Sequence, residues 1–308
     1  MKPRIVIITE GQGNVAGSIE QDLRFVFSDK VEIERLRYSQ VMERDMQTGD
    51  IFLLTRWTNI DFVKERIADH DRMILVKRTL REQELIKILE IPRNTRVLVV
   101  NDTAATTAQM VELLYSLKID HIQIVEYDPA HVDRSVTVAI TPGELQCVPP
   151  HITKIIDVGN RCLDVSTFMD IIYKLQLNDE SISMALLKYI GLTVNSNEGV
   201  KQQYKDAVIH SIQMKNVLNM SEQGIVMTLP DGEIVLCNQK FREIARCDVV
   251  EGVSRIEEVL DASVLESLGH QSRPEDVPIC VNGREIIVRQ EAVTYETEVP
   301  QRLYFFND

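Results

Sequence analysis

The chain has 308 residues, of which 44% are hydrophobic and 26% are charged, and its formal net charge is −13 at neutral pH. This composition is typical of a folded globular protein and argues against a disordered or membrane-embedded chain. The negative charge repels a phosphate backbone, so we expect no direct contact with nucleic acid.

The chain begins with an apolar run at residues 5–8, which is too short for a signal-peptide core or a membrane span. The five cysteines have no CxxC spacing and no histidine at metal-ligand spacing, which favours reduced thiols over a metal site. We therefore expect a cytoplasmic protein that needs no membrane, no metal and no other cofactor.

Strand-like runs rich in β-branched residues alternate with helix-length segments through the first half of the chain. This alternation predicts parallel sheets that are covered by helices on both faces. The predicted strands are residues 4–8, 31–36, 50–54, 73–76, 96–100, 122–127, 137–140 and 154–157.

A break at Ile91-Pro92-Arg93-Asn94 divides this region into two halves of similar size. We predict an α/β domain over residues 1–194 with two doubly wound, flavodoxin-like lobes at about 1–90 and 91–160 and closing helices at 161–194. Such sheets bind ligands beyond the carboxyl ends of their strands, so the cleft between the lobes is the predicted binding site.

Residues 195–217 have an interrupted apolar stripe near heptad spacing and are predicted to form a linker helix that contributes to a dimer. Residues 218–308 then change to an antiparallel pattern. Leu229-Pro230-Asp231-Gly232 and Asn282-Gly283 are typical hairpin turns between strand-like segments. Two strands, short helices and three strands are the order of a PAS domain, an α+β fold with an antiparallel sheet.

The segments that follow the predicted strands supply the candidate ligand-binding residues. Arg56 can hold a carboxylate through two hydrogen bonds, and the indole of Trp57 can pack on the apolar part of a small ligand. An alternative leaves Arg56 on the surface, with Trp57 packing one lobe on the other. The full candidate set is Thr9, Glu10, Gly11, Thr55, Arg56, Trp57, Asn101, Asp102, Thr103 and Tyr127.

The glycine-rich segment from Gly11 to Gly17 follows a strand and opens a helix, which invites a dinucleotide-binding interpretation. Its spacing is GxGxxxG, and no ribose-binding acid is clear downstream, so we favour a tight turn. The backbone N–H groups of such a turn could still hold an anionic ligand. For the helix at residues 104–117, we expect Asp102 or Thr103 to be the N-cap and Asn101 to face the cleft.

Other polar positions have structural interpretations. Glu144 could reach a ligand amine, but we favour a solvated loop acid. The segment from Asp157 to Asp164, around Gly159-Asn160-Arg161, holds the one suggestive acid–base cluster, and we interpret Asp157 and Arg161 as an ion pair. His270 is the sole candidate haem ligand after residue 217 and lies in a polar stretch, which argues against haem. Motifs of nucleophilic, zinc-dependent or phosphate-loop chemistry are absent, so we predict no enzyme activity.

Two resemblances extend this interpretation. Residues 224–241 resemble the opening of PAS domains, where a hairpin leads to an asparagine and then a large apolar residue, here Asn238 and Phe241. The first 190 residues or so resemble the sensory domain of the propionate catabolism activator family. Thr55-Arg56-Trp57-Thr58 is similar to a polar-Arg-Gly-Gly-Thr segment of that family, with Trp57 and Thr58 in place of the glycines, and residues 99–103 and 139–144 also resemble relatives.

Members of this family are sigma-54-dependent transcription activators that carry an AAA+ ATPase and a helix-turn-helix beyond their sensory region. The resemblance implies a small effector in the cleft, an amino or carboxylic acid, and a homodimer formed through the linker helix and the PAS domain. It also implies that the chain is the sensory part of a longer protein. The alternatives are a protein-interaction scaffold without a ligand and a nucleotide-binding enzyme.

Overall fold

The computed structural model describes residues 2–10, 14–41, 50–56, 60–65, 67, 69–177, 179–194, 198–246, 249–260, 265, 276–293 and 301–307. The chain divides into two compact units, unit one at Met1–Lys205 and unit two at Asp206–Asp308. Each unit has its own hydrophobic core. In the described parts of the chain, no helix is both long enough and apolar enough to span a bilayer.

Unit one begins with a four-stranded parallel sheet in the order β2-β1-β3-β4. Its strands are β1 (Arg4–Thr9), β2 (Glu32–Arg37), β3 (Ile51–Leu54) and β4 (Met73–Leu75). Its helices are α1 (Asn14–Phe27), α2 (Tyr38–Val41) and α3 (Ile60–Lys64). Ile5 and Ile7 pack on the side of α1, whereas Val6 and Ile8 pack on the side of α2 and α3. The continuous apolar run of β1 therefore fills both faces of the sheet, as buried parallel strands require.

A second four-stranded parallel sheet has the order β7-β6-β8-β9. Its strands are β6 (Arg96–Val99), β7 (Gln123–Glu126), β8 (Val138–Thr141) and β9 (Lys154–Asp157). Its helices are α4 (Glu82–Leu89) and α5 (Ala104–Ser116). Ile88 of α4 is buried with Val97 and Val99 of β6, so α4 belongs to the core of this sheet. The chain therefore leaves the first sheet before α4, whereas the sequence placed that boundary near residue 90.

A short antiparallel ribbon, which the sequence analysis did not predict, connects the two sheets. It pairs β5 (Arg78–Thr79) with β10 (Cys162–Leu163). The buried carboxylate of Asp22 on α1 anchors this ribbon. It accepts hydrogen bonds from Nη2 of Arg81 at 2.8 Å and from the Leu163 amide at 3.0 Å. The chain then returns to the first sheet through α6 (Val165–Leu175) and α7 (Glu180–Ile190), whose Phe168 and Tyr189 rings meet edge to face.

The long helix α8 (Glu198–Asn219) contains the boundary between the units, and unit two is built on a five-stranded antiparallel sheet. The sheet has the order β12-β11-β15-β14-β13, with α9 (Gln239–Ala245) after its second strand. This is the strand arrangement of a PAS-type fold, as predicted. The strands are β11 (Gly224–Thr228), β12 (Ile234–Cys237), β13 (Val277–Val281), β14 (Arg284–Val293) and β15 (Gln301–Asn307).

The predicted Asn282-Gly283 hairpin turn is confirmed. Asn282 and Gly283 have φ of +51° and +79°, and Val281 pairs with Arg284 on either side of them. Positive φ at both central residues is the requirement of a type I′ turn, and Asn-Gly meets it with little strain. The Asn282 amide also donates to the carbonyl of Ala245 at 2.9 Å, which ties the turn to the end of α9.

Candidate ligand-binding cleft

A cleft of about 580 Å³ lies in unit one at the carboxyl ends of β1 and β3 of the first sheet and of β6 and β8 of the second. This is the position at which doubly wound sheets bind their ligands. Its walls are predominantly polar or charged. They are formed by Thr9, Glu10, Val15, Thr55, Arg56, Arg78, Asn101, Asp102, Thr106, Pro142, Gly143, Glu144, Gln146, Asn160 and Arg161.

The structure brings most of the predicted ligand-binding residues together in this cleft. Those that line it are Thr9, Glu10, Thr55, Arg56, Asn101 and Asp102. Thr103 is not among the lining residues because its side chain caps α5. Tyr127 packs instead against the apolar group of Leu98 and Val100. Gly11 and Trp57 lie outside the described residues, as does His270.

Arg56 is held between the two sheets by two carboxylates. Its Nη1 lies 2.5 Å from Oε2 of Glu10, and its Nη2 lies 3.4 Å from Oδ2 of Asp102. Glu10 follows a strand of the first sheet, whereas Asp102 follows a strand of the second. Arg56 is therefore already paired, and its contact with Asp102 joins one side of the cleft to the other.

The loop after β6 is organised by its own side chains. Thr103 accepts a hydrogen bond from the Thr106 amide at 3.2 Å, and the Thr106 hydroxyl accepts one from the Thr103 amide at 3.1 Å. This reciprocal capping box confirms a predicted N-cap at Thr103. The buried Asn101 amide donates to the carbonyl of Thr106 at 3.1 Å. Asn101 and Asp102 are thus set in position before any ligand arrives.

Two further arginines line the cleft without a carboxylate partner. Arg78 lies in β5 and Arg161 directly precedes β10, so the ribbon positions both. Arg161 is only 7% exposed. In the described chain, neither guanidinium donates a hydrogen bond or forms a salt bridge. A buried cation of this kind is costly unless an anion pairs with it.

Burial and mutual repulsion act on both of these guanidinium groups. Burial, followed by repulsion from Arg56, lowers the pKa of Arg78 to about 10. Burial, followed by repulsion from Arg78, lowers the pKa of Arg161 to about 9. Asp102 acts in the opposite direction on both pKa values. Both groups stay protonated at neutral pH, so this side of the cleft presents two positive charges that form no salt bridge with the described residues.

The predicted ion pair between Asp157 and Arg161 is wrong. Oδ1 of Asp157 instead accepts hydrogen bonds from the amides of Gly143 at 3.0 Å and Gly159 at 2.8 Å. Both glycines have positive φ, of +85° and +59°, and the carboxylate joins the two turns that follow β8 and β9. Because Asp157 satisfies backbone donors, Arg161 is left free to face the cleft.

Glu144 also lines the cleft and is half-buried, whereas the sequence favours a solvated loop acid. Its carboxylate accepts a hydrogen bond from the side-chain amide of Gln146. Among the residues that the structure describes, no lysine or arginine forms a salt bridge with Glu144. The cleft thus contains an unpaired carboxylate as well as two unpaired arginines.

Sequence reasoning did not identify Arg78 as a site residue and assigned Arg161 to the wrong partner. Arg78 lies in a two-residue strand that has no periodic pattern of its own. The usable signal was Gly159-Asn160-Arg161, a turn directly after a predicted strand at the same sheet edge as Asn101. Only the pairing of β5 with β10 shows that the two arginines act together.

No protein-family model and no curated protein matches the chain. Among solved structures, the E. coli DhaR(N)–DhaL complex is similar at 15% identity and a TM-score of 0.31, over 45% of this chain and 44% of that one. The chain thus spans less than half of that solved chain.

Two other solved structures are similar. The PAS domain of an HTR-like protein from Haloarcula marismortui matches at 22% identity and a TM-score of 0.28, over 35% of this chain and 98% of that one. An extracellular ligand binding receptor from Desulfohalobium retbaense matches at 10% identity and a TM-score of 0.30, over 100% of this chain and 85% of that one. At these sequence identities and TM-scores, the similarities give no information about the ligand or partner of this chain.

Proposed function

We propose that the chain is the signal-sensing region of a bacterial sigma-54-dependent transcription activator and that a small metabolite with a carboxylate or phosphate group binds in the cleft of unit one. The observation that supports this proposal is the pair Arg78 and Arg161, two guanidinium groups in a polar cleft that form no hydrogen bond or salt bridge with the described residues. A guanidinium binds a carboxylate or phosphate through two parallel hydrogen bonds. A bound anion would supply the missing partner of both groups.

The two sheets of unit one act as lobes that the ligand draws together. The loops that meet the ligand come from both sheets, so an anion on Arg161 near Asn101 favours the closed arrangement over an open one. A ligand shifts such an equilibrium only by its difference in affinity for the two states. We infer that the cleft binds its ligand without converting it.

Unit two relays the signal in this proposal. Helix α8 runs without interruption from unit one into unit two, so a conformational change in unit one is transmitted to unit two along this helix. Near its end, Met214, Val217 and Met220 are 59%, 64% and 83% exposed. Exposed apolar side chains of this kind are typical of a contact surface, and we assign it to a homodimer. The receiver of the signal is an AAA+ ATPase domain of the full-length protein.

Calorimetric titration of the full chain with carboxylates, amino acids and inorganic phosphate tests the binding step. We expect one of these anions to bind and R78M and R161M each to weaken its binding by about tenfold or more, because each removes a charge-assisted hydrogen-bond donor. Arg93 is exposed, does not line the cleft and precedes β6, the strand whose other end meets the cleft, so R93M is the matched control and should bind as the unaltered chain does.

The same titration distinguishes the alternatives. A folded protein that binds none of these anions would contradict the proposal and favour a protein-interaction scaffold. Binding that R161M leaves unchanged would place the site elsewhere in the chain.

A further inference from the structure

Building on the proposed cleft ligand, we infer that this ligand is an amino acid in its zwitterionic form. Its carboxylate binds Arg78 and Arg161, and its ammonium group binds the carboxylate of Glu144. The class of ligand follows from which charges in the cleft have partners and which do not.

The anionic half of the ligand is indicated by Arg161. Its side chain is more than nine-tenths buried, lines the cleft and has no hydrogen-bond or salt-bridge partner in the described chain. Arg78 lies beside it on the ribbon, near enough for the two charges to repel each other. One carboxylate has two oxygens and four lone pairs, so it can accept from both guanidinium groups at once.

The cationic half is indicated by Glu144, which lines the cleft and is half-buried. The contact of its carboxylate with Gln146 is a hydrogen bond to a neutral amide. Among the described residues, no lysine or arginine forms a salt bridge with this carboxylate, so an ammonium group of the ligand would supply its counterion.

Charge balance favours a zwitterion over a dianion. The lining residues carry three arginines and three carboxylates, so the formal charge of the cleft is already zero. A dicarboxylate or phosphate would bring a net negative charge next to Glu144 and Asp102, and like charges at close range destabilise a complex. An amino acid leaves the total at zero while giving both the arginines and Glu144 a partner. Burying paired charges costs far less than burying unpaired ones.

The test compares an amino group with a blocked one. The full chain is titrated with each common L-amino acid, with the N-acetyl derivative of any that binds, and with succinate, citrate and inorganic phosphate. We expect an amino acid to bind and N-acetylation to weaken its binding by about tenfold or more, since the ammonium charge is lost. In E144Q the difference in affinity between the free and the N-acetylated amino acid should be smaller. Exposed Glu112 provides the matched control E112Q, which should keep the difference.

Each outcome has a separate meaning. If succinate, citrate or phosphate binds through Arg161 and no amino acid does, the zwitterion inference is overturned while the proposed cleft function stands. If N-acetylation weakens binding by the same factor in E144Q as in the unaltered chain, the role of Glu144 is overturned. If nothing binds to the folded chain, the proposed function fails and the inference fails with it.

Discussion

At the scale of single residues, Arg161 is the most informative side chain of the molecule. Its guanidinium is buried without a partner among the described residues, and leaving a buried polar group unsatisfied costs about 1–3 kcal/mol of stability, more for a charged one. Functional sites often retain such a cost because the ligand removes it. Arg81, three residues beyond Arg78, shows the contrast, since its guanidinium reaches the buried carboxylate of Asp22 at 2.8 Å.

This cost predicts how R161M behaves without a ligand. Methionine keeps an unbranched apolar stem of similar length and removes the buried charge. We therefore expect the ligand-free variant to unfold at a higher urea concentration than the unaltered chain, by about 1 kcal/mol or more in free energy of unfolding. Chemical denaturation followed by circular dichroism measures this change.

Exposed Arg93 is again the control, because R93M removes a solvated charge and should change the stability by less than about 0.5 kcal/mol. A marked loss of stability in R161M would mean that Arg161 supports the fold rather than a ligand. That result would remove the main observation behind the cleft proposal.

At the scale of elements, Asn238 joins three parts of unit two. Its Oδ1 accepts from the amides of Ile225 in β11 at 2.8 Å and Phe241 in α9 at 3.0 Å. Its Nδ2 donates to the carbonyls of Leu218 in α8 at 2.9 Å and Gln223 at 2.8 Å. Asn238 is one of the residues on which the resemblance to PAS domains rests. The structure adds that the same side chain holds the end of α8 to the sheet.

Substitution can distinguish the acceptor role of Oδ1 from the donor role of Nδ2 in the Asn238 side chain. N238D keeps the acceptor for Ile225 and Phe241 but replaces the donor with an oxygen that the carbonyl of Leu218 repels. We expect hydrogen exchange near the end of α8 to accelerate in N238D while the first turn of α9 stays protected. N238A should destabilise both regions, by about 1–3 kcal/mol.

Asn219 offers a control at the same junction. Its exposed side chain accepts a single hydrogen bond from the Gln239 amide at 2.8 Å, so N219A should have a smaller effect than N238A. Equal protection of α8 in N238D and in the unaltered chain would show that Asn238 does not hold this helix.

At the scale of the whole molecule, the chain is organised as two units with separate cores. All residues that line the cleft belong to unit one, which ends at Lys205. The aromatic core of unit two, with Phe241 and Phe306 at 5.0 Å between ring centroids, shares no residue with it. Cores that are separate in this way can unfold separately.

We therefore expect two transitions in scanning calorimetry of the full chain. The cleft ligand should raise the transition of unit one, because binding stabilises only the unit that holds the site. N238A should lower the other transition and leave the ligand-sensitive one in place. A single transition that responds equally to ligand and to N238A would show that the units unfold as one.

Local patterns account for much of the fold. The β-branched runs at residues 4–8 and 96–100 were predicted as strands because a parallel strand buried on both faces needs a continuous apolar stretch. Asn282-Gly283 specified a tight hairpin because only few residues accept positive φ. Thr103 was identified as one of two capping candidates for α5. In each case, a few neighbouring residues carry the whole signal.

The candidate cleft was predictable only in part. Thr9, Thr55 and Asn101 were found because strand ends of a doubly wound sheet meet at one edge. That Arg161 forms no salt bridge with the described residues was not predictable, since Asp157, four residues away, is a natural counterion. Which donors a carboxylate accepts depends on the turns at Gly143 and Gly159, and these meet only in the folded chain.

The sequence by itself determined the alternation of strands and helices, the antiparallel pattern after residue 217 and the sheet edge at which the cleft lies, because these depend on the order of apolar and polar residues along the chain. Only the tertiary structure decided which charges have partners. Arg78 and Arg161 are 83 positions apart and become neighbours through the pairing of β5 with β10. Long-range pairing of this kind follows from packing, and two-residue strands leave no periodic trace of it in the sequence.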